Sequence, residues 1–404
     1  MTMQDAGPSD GNPEIGGEAT VSPFSFQLSR PDLLALLAHL KIPHDEASPL
    51  APLLTESPKK TDTDLKALSV DTRVGTTLSI LSRPSVQMEN RVGGGVQTID
   101  FFTAALAPEI DAGAVAAMMP SIRGAFLFLL LPSLAAYLDW WLARHASGAS
   151  ETVPNHLPPP LDMESAVCAL HAIDLFRRRA YEGLLAHETT ERPAIEPPAF
   201  TESLLSAIEH RDMRWLTPAF VGLTPGLHMN GFGKGLEPLE ELARRDILLL
   251  DKDDDGRVVL LFGEAGRRMG VEFYHSWFKA TGFAISVRTH AGWHDVQRGF
   301  LAPTGLANHL FLLGDDDGRN VVNHQALTHQ LLGRKVARML VDAIASRVSV
   351  ASTEPSVPNP RASGAVADSA TSPSCPSCGQ PLHPGSRFCS SCGAQIEGDD
   401  RNST

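Results

Sequence analysis

The sequence has few cysteines and few basic residues, and each scarcity excludes a class of protein. Only Cys168, one of five cysteines in 404 residues, lies outside the last thirty positions. A disulfide framework is therefore excluded, which indicates a compartment where thiols stay reduced, and we expect the cytoplasm. Lysine and arginine total 34 against 47 aspartates and glutamates, a formal net charge of −13. Because nucleic-acid affinity depends largely on clustered basic side chains, this balance argues against nucleic acid as a partner.

Long apolar runs are also absent. The stretch from Gly124 to Leu138 comes nearest, with fifteen uncharged residues interrupted by Pro132. Because a membrane-spanning helix needs roughly 20 apolar residues, we expect no transmembrane segment and a buried helix here, with a membrane-associated helix as the alternative. Residues 1–22 contain four acidic residues and no lysine or arginine. They cannot be a secretory signal, and they are predicted to form a disordered acidic tail.

What the chain does have is a cysteine motif at its carboxyl end. Two Cys-x-x-Cys-Gly units are separated by ten residues, so that the four cysteines are Cys375, Cys378, Cys389 and Cys392. Paired cysteines two residues apart allow one tight turn to direct both thiolates at one ion, and two such turns complete the tetrahedral sulfur shell that zinc prefers. The glycine after each pair suits a turn that needs positive φ. The sequence therefore predicts one structural zinc ion held by these four cysteines.

The same motif carries a family resemblance. The pattern Cys-Pro-x-Cys-Gly, ten residues, then Cys-x-x-Cys-Gly, with Phe388 just before the third cysteine, resembles the short zinc-ribbon family often appended to bacterial proteins. The resemblance covers residues 375–396, about a twentieth of the chain. It implies a structural zinc and says little about the function of the rest of the chain, which is unassigned.

Proline-rich stretches divide the chain into segments. Three such stretches are too weakly apolar to pack a core: 147–160, 187–198 and 351–374. The last has 24 residues, which as a flexible coil would span roughly 27 Å, so the ribbon is expected to be tethered and free of the body. The predicted organisation is an N-terminal α+β half at 23–146, Pro-rich connections around a helix at 147–200, a C-terminal α+β half at 201–350, a disordered linker at 351–374 and the zinc ribbon at 375–396.

Within the body, hydrophobic spacing and turn residues predict helices and hairpins. Helices are expected at 31–41, where Ser29 is a possible cap, and at 236–245 and 326–344. A further helical region is expected after the first hairpin; it ends at Trp141 and is broken at Pro120 and Pro132. Hairpins are expected from 85–90 and 96–102, from 247–250 and 257–262, and from 310–313 and 319–323. The predicted fold class is an α+β body of two similar halves, built from β-hairpins and packed helices, with the tethered ribbon.

A second resemblance follows from this order of elements. The run Leu81-Ser-Arg-Pro84 before a hairpin, with an analogous helix and hairpin later, is similar to the duplicated α+β chaperones of type VII secretion. The similarity rests on the pattern alone, without a diagnostic motif, and a zinc ribbon does not define those proteins.

Four other motifs suggest chemistry, and for each a structural role is favoured. Asp251 to Gly256 matches the opening of an EF-hand loop, but position twelve is Phe262 where calcium needs a glutamate, so a hairpin turn is expected. The loop Gly231 to Gly235 contains glycines and a lysine, yet it lacks the Ser or Thr and the preceding strand of a phosphate-binding loop. Whether that loop binds a nucleotide stays open.

The histidine and cysteine motifs are treated in the same way. His290, His294 and Asp295 could bind a metal ion if they were helical, but the preceding strand-like residues and Gly292 favour a loop. Cys168 and His171, three residues apart on an apolar helix, are expected in the core because a buried cysteine is usually a small hydrophobe.

These observations favour a non-enzymatic, zinc-ribbon-containing intracellular protein that acts as an interaction, adaptor or chaperone-like module with a protein partner. The alternative is a nucleic-acid-binding or transcription-related zinc-ribbon protein, because the helix from Leu236 and the hairpin after it resemble half of a winged helix. That helix and the turn at 251–255 carry acidic residues where phosphates would lie. An enzyme that uses the Gly231 or His290 region is the third possibility.

Overall fold

The computed structural model describes residues 23–352 apart from 44, 47, 55–64, 94–98, 122–123, 188–193, 228–235, 277–278, 290–291 and 318. This part of the chain has an α+β fold. Its strands are β1 Phe24–Ser29, β2 Val86–Gly93, β3 Ile99–Leu106, β4 Val115–Pro120, β5 Ala125–Leu131, β6 Leu161–Asp162, β7 Leu248–Lys252, β8 Val258–Phe262, β9 Thr281–Thr289, β10 Gly292–Pro303, β11 Asn308–Asp316 and β12 Arg319–Leu327. Its α-helices are α1 Arg30–Leu40, α2 Leu65–Val70, α3 Thr72–Ser82, α4 Leu134–His145, α5 Met163–Ala186, α6 Pro197–His210, α7 Leu216–Leu223, α8 Glu237–Arg244, α9 Glu264–Ser276 and α10 His329–Ser352.

One large antiparallel sheet organises the body. Its strand order is β1-β5-β4-β3-β2-β9-β10-β11-β12-β6, and β7 and β8 form a separate two-stranded sheet. Two four-stranded meanders, β2 to β5 and β9 to β12, join where their first strands pair, with Val86 opposite Val287. A helix follows each meander, α4 after β5 and α10 after β12.

Helices cover both faces of this sheet because successive strand residues point to opposite sides. On β3, Phe102, Ala104 and Leu106 pack in a core that includes α4 and α10, whereas Ala105 packs in a core that includes α1 and α3. A third core lies under α5 to α9 and includes Phe300 of β10. The sheet is therefore fixed from both sides in its central strands.

Several expected elements are confirmed. The first helix begins after Ser29, whose side chain accepts a hydrogen bond from the Asp32 backbone N–H. All three predicted hairpins form, as β2–β3, β7–β8 and β11–β12, although residues 94–98 and 318 lie outside the described part. The helix predicted at 236–245 is α8. The last helix begins at His329 rather than Ala326, because β12 continues through Leu327.

The helical region predicted to end at Trp141 is wrong over most of its length. Residues 115–120 and 125–131 are strands β4 and β5, and helix begins only at Leu134. The buried helix expected from Gly124 to Leu138 is wrong for the same reason. A short apolar run that is buried on both faces lacks alternation, so its periodicity does not distinguish strand from helix. Among the described residues, no helix combines the length and apolarity needed to cross a membrane.

Candidate functional site

The predicted zinc ligands Cys375, Cys378, Cys389 and Cys392 lie outside the described residues. Four thiolates in two pairs are a donor set that suits tetrahedral zinc. Within residues 23–352, as far as the structure describes them, no group of three or more His, Cys, Asp or Glu could hold a metal ion.

The other predicted candidates do not converge on a site. The Gly231 to Gly235 loop and His290 lie outside the described residues. His294 and Asp295 were expected in a loop, but both lie on strand β10, where neighbouring side chains point to opposite faces. Asp295 accepts hydrogen bonds from Ser286 at 2.6 Å and from Arg298 at 2.8 Å. It is therefore committed to neighbours within the sheet.

The Cys168 and His171 pair lies in the core, as expected. Burial raises the pKa of the Cys168 thiol to about 12, and the carboxylates of Glu164 and Asp162 add to the shift. The thiol therefore stays protonated and unreactive at neutral pH. Burial also lowers the pKa of His171 to about 3, and its Nε2 lies 2.7 Å from the Ser203 hydroxyl.

The acidic turn at Asp253 to Gly256 is also structural. The Asp253 carboxylate accepts hydrogen bonds from the backbone N–H groups of Asp255 and Arg257 and from the Arg257 guanidinium. These bonds, led by the one from the Arg257 backbone, lower the pKa of Asp253. Gly256 has a φ of 79°, so the turn uses the glycine where a side chain would be strained.

Sequence reasoning missed a buried chain of polar side chains beneath a cavity of about 710 Å³. The cavity is lined by residues of the loop before β6, of α9 and of the β10–β11 turn: Val153, Pro154, His156, Glu264, Arg267, Arg268, Val271, Glu272, His275, Gly305 and Leu306. From its floor, Glu272 on α9 contacts His309 on β11, with Oε1 2.8 Å from Nε2. His309 Nδ1 lies 3.0 Å from Nε2 of His324 on β12, and His324 Nδ1 lies 2.6 Å from Asn155 Oδ1.

The positions of the protons in this chain follow from Asn155. Its amide donates to the His324 carbonyl and its Oδ1 accepts from the Leu157 N–H, so Oδ1 must accept from His324 Nδ1. Burial holds the pKa of His324 well below its usual value, so its Nε2 is unprotonated and accepts from His309. His309 therefore donates from Nδ1 to His324. The contact between His309 Nε2 and the Glu272 carboxylate needs a further proton between the two atoms.

Glu272 is the anion of this pair. Burial acts to raise the pKa of Glu272. The hydrogen bond and the charge interaction with His309 act to lower it, and so does a hydrogen bond from the Thr304 hydroxyl. These effects outweigh burial, so the pKa of Glu272 is lowered. Each of these side chains is bonded within the protein, so the chain of contacts fastens α9 and residues 155–157 to the sheet.

A second cavity differs because it is lined by a buried polar atom, His145 Nε2, that has no hydrogen-bond partner among the described residues. It has a volume of about 460 Å³ and lies where β3 and β4 separate, lined by Val92, Ile99, Asp100, Phe101, Phe102, Met119, Pro120, Trp140, Arg144, His145 and Lys279. The two strands pair only from Thr103 to Ala105, opposite Met118 to Ala116. Residues 99–102 are paired with β2 on one side, and no described strand pairs with them on the other.

Aromatic side chains form the wall of this second cavity. The Phe102 ring packs edge-on against Trp140, with 5.7 Å between centroids, and stacks on His145 at 5.3 Å. The Arg144 guanidinium lies over the Trp140 ring, 4.5 Å from its centroid. Phe101 is 47% exposed and Phe102 only 7%. The wall is therefore fixed by packing while its outer edge is open to solvent.

Two basic residues, Arg144 and Lys279, and one acidic residue, Asp100, are among the described residues that line this cavity. In the described part of the chain, neither Arg144 nor Lys279 makes an ion pair. His145 is 8% exposed and its Nδ1 lies 3.0 Å from the Thr281 hydroxyl, but its Nε2 has no hydrogen-bond partner among the described residues. Burial, with a contribution from Arg144, lowers the pKa of His145 to about 4, so the ring is neutral at pH 7.

Comparison with known proteins adds one firm finding. Residues 374–396 match the zinc-ribbon domain family, which confirms the resemblance predicted for the C-terminal module. No curated protein matches the chain. Among solved structures, it is similar to a chain in the structure of the Mycobacterium tuberculosis type VII secretion system chaperone EspG5 in complex with the PE25-PPE41 dimer. That match has a TM-score of 0.35 and 10% identity, covers 79% of this chain and 96% of that chain, and supports no functional inference.

Proposed function

We propose that this protein is a non-enzymatic protein-interaction or adaptor module of the cytoplasm, whose body binds a partner protein at the open edge of β3. The observation that carries the proposal is the segment 99–102, which is paired with β2 alone among the described strands. An unpaired strand edge presents N–H and C=O groups in a row and is a template for an added strand. Partner proteins commonly use such edges, because main-chain hydrogen bonds give affinity without requiring one sequence.

The position of this edge supports the proposal. It lies inside a ten-stranded sheet rather than at its end, where β1 and the two-residue β6 form the borders. Natural proteins usually cover or shorten exposed edges, since they promote aggregation. Packed aromatic residues fix one side of this edge, and the pairing of β4 with β5 fixes the other. We therefore interpret the unpaired edge as a binding site for a partner.

The rest of the chain belongs to the same proposal. Two similar halves, 23–146 and 201–350, would form a rigid body, with connections at 147–200 and a disordered acidic tail at 1–22. A disordered linker at 351–374 would tether the ribbon at 375–396. One structural zinc would be held by the four cysteines of the ribbon, where the metal supplies folding energy to a segment too small for a core.

A photo-crosslinking experiment tests this function. Phe101→benzoylphenylalanine places a reactive group on the open edge of β3, and Val341→benzoylphenylalanine places it on α10. Val341 is a matched control because it is 52% exposed, close to the 47% of Phe101. Irradiation in the source cells should give one discrete protein adduct from position 101 and none from position 341.

A truncated chain ending at residue 350 separates the body from the ribbon. If the body binds the partner, the adduct from position 101 persists after truncation. Equal adducts from both positions, or no adduct from position 101, would contradict the proposal. Loss of the adduct on truncation would assign binding to the ribbon instead.

A further inference from the structure

We infer that the cavity between β3 and β4 accepts an extended polypeptide segment that carries a large apolar side chain and, two residues along, a carboxylate. This inference rests on the proposed function for its location and specifies the chemistry of the partner. It is built from three features of the site: an apolar wall, two unpaired cations and an open backbone edge.

The apolar wall is suited to one large side chain. A volume of about 460 Å³ falls within the range of small ligand pockets, and Phe102, Met119 and Trp140 supply apolar surface. Phe102 and Trp140 are held against each other and against His145, so their positions are set before a partner arrives. A preformed aromatic pocket that excludes water is the usual place where one anchoring side chain supplies most of the binding energy.

The charges select a carboxylate. Arg144 and Lys279 are both exposed on the rim of the cavity, and neither has an acidic partner among the described residues. Both line the same cavity, where a carboxylate could interact with either. Asp100 is the one acidic residue of the lining that the structure describes, and it lies on β3 itself. Charge complementarity therefore favours a partner segment with its carboxylate directed at α4 and Lys279.

The open edge sets the form of the segment. Alternate residues of an extended strand share a face, so an apolar residue and an acidic residue two positions later would both point toward the cavity. The unpaired N–H and C=O groups of residues 99–102 would bond to the backbone of the segment. The unpartnered Nε2 of the neutral His145 is a further polar group in the lining.

A single-stranded nucleic acid could also use aromatic rings and cations, but this site fits it less well. Bases stack on exposed ring faces, whereas the faces of Phe102 and Trp140 are already occupied by His145 and by Arg144. The Phe101 ring is 47% exposed, but the Arg91 guanidinium lies over it, 5.8 Å from the ring centroid. Asp100 and the net charge of −13 would also oppose phosphates.

Fluorescence anisotropy with the full-length protein tests the inference. The probe is the labelled, acetylated peptide Thr-Thr-Phe-Thr-Glu-Thr-Thr. Three sibling peptides carry lysine for the glutamate, serine for the phenylalanine, or N-methyl groups on alternate amides. We expect the probe to bind saturably and each sibling to bind at least about tenfold more weakly, the effect of a contact worth about 1.4 kcal/mol.

The charge-reversed variant Arg144→Glu/Lys279→Glu is the decisive control. Both side chains are exposed, so the variant should stay folded, with a melting temperature lowered only by the loss of the Arg144 contact over Trp140, while its preference changes from the glutamate peptide to the lysine peptide. Lack of binding by the probe, or an unchanged preference in the variant, would overturn the inference. If the crosslink at position 101 still forms in that case, the proposed function stands and only the partner chemistry is wrong.

A nucleic-acid competitor completes the test. Unlabelled dodecathymidylate should not displace the bound peptide at physiological salt. Displacement at micromolar concentrations, or direct binding tighter than that of the peptide, would overturn the inference in favour of a nucleic-acid site.

Discussion

Three buried histidines are uncharged in the folded protein. Burial lowers the pKa of His145 to about 4 and that of His171 to about 3, and it holds the pKa of His324 well below the ordinary value. Their side chains belong to three different surroundings, the aromatic wall beside β3, the core under α5 and the chain of contacts that ends at Asn155. Each is neutral because the cost of burying an imidazolium exceeds the cost of releasing its proton.

These histidines predict acid sensitivity. In the unfolded chain each would bind a proton as the pH falls below about 6.5. In the folded chain His145 binds it only near pH 4 and His171 only near pH 3, and the pKa of His324 is also held well below its usual value. Between these values the unfolded state holds more protons, so the free energy of unfolding decreases by about 1.4 kcal/mol per pH unit for each histidine. Stability is fully present above pH 6.5 and is lost toward pH 4. Urea denaturation at pH 7, 6 and 5 measures the slope.

Two variants identify the source of that slope. His171→Gln should reduce it by the contribution of one histidine, whereas His39→Gln, at an exposed position on α1, should leave it unchanged. A free energy of unfolding that is constant from pH 7 to pH 5 would contradict the assignment.

The buried contact between Glu272 and His309 predicts that a single substitution at Glu272 destabilises the fold. Glu272→Gln removes the carboxylate that bonds to His309, whose side chain is only 3% exposed, and leaves a buried polar group poorly satisfied, so it should lower the free energy of unfolding by about 1–3 kcal/mol. Glu264→Gln on the same helix is the matched control, because Glu264 pairs with Arg267 and Arg268 in solvent. Its loss should cost clearly less than the loss of Glu272, because water screens an exposed ion pair. Equal losses in urea denaturation would show that the buried pair has no special role.

At the scale of elements, local signals predicted what depends on local chemistry. The cap at Ser29, the turns that contain glycine and the zinc motif could be found from the sequence, because each depends on a few neighbouring residues. Strands β4 and β5 could not be assigned, because burial on both faces removes the alternation that marks a strand. The candidate site could not be found either, since it depends on where β3 and β4 separate, and that point is set by pairing between distant residues.

The packing of α7 on β9 predicts a contrast between two strand glycines. A Cβ at Gly282 would overlap the Leu223 carbonyl at the end of α7, so Gly282→Ala must displace backbone. We expect a loss of about 1–3 kcal/mol or more in the free energy of unfolding. A Cβ at Gly314 on β11 would meet the Asn323 side chain at 3.5 Å, an ordinary contact, and Gly314→Ala should be nearly neutral. Similar stabilities for the two variants in urea would contradict the packing of α7 against β9.

At the scale of the whole molecule, the metal and the body are expected to be independent. The described part of the body buries three apolar cores of its own, so we expect it to fold without zinc. A zinc ribbon of about twenty residues has no such core and depends on its ligands. Loss of zinc should therefore affect residues 375–396 alone.

Metal analysis and thermal melting test that independence. Purified protein should contain one equivalent of zinc, and Cys389→Ser should lose it. A chelator should leave the melting temperature of the body unchanged, because the linker predicted at 351–374 has few side chains able to dock. Retention of zinc in Cys389→Ser would refute the ligand assignment. A large decrease in the melting temperature on chelation would show that ribbon and body depend on each other.

The pairing of β2 with β9 has a consequence for how the chain is made. Val86 and Val287 are partners, yet about 200 residues separate them, so a ribosome that adds roughly 5–20 residues per second needs about ten to forty seconds between the two. During that interval the first meander has no neighbour along β2. The core that β3 shares with Leu332 and Val336 of α10 also stays open until the body is nearly complete. The N-terminal meander is therefore exposed throughout this interval, and we expect synthesis at reduced chaperone capacity to yield aggregates that begin with it.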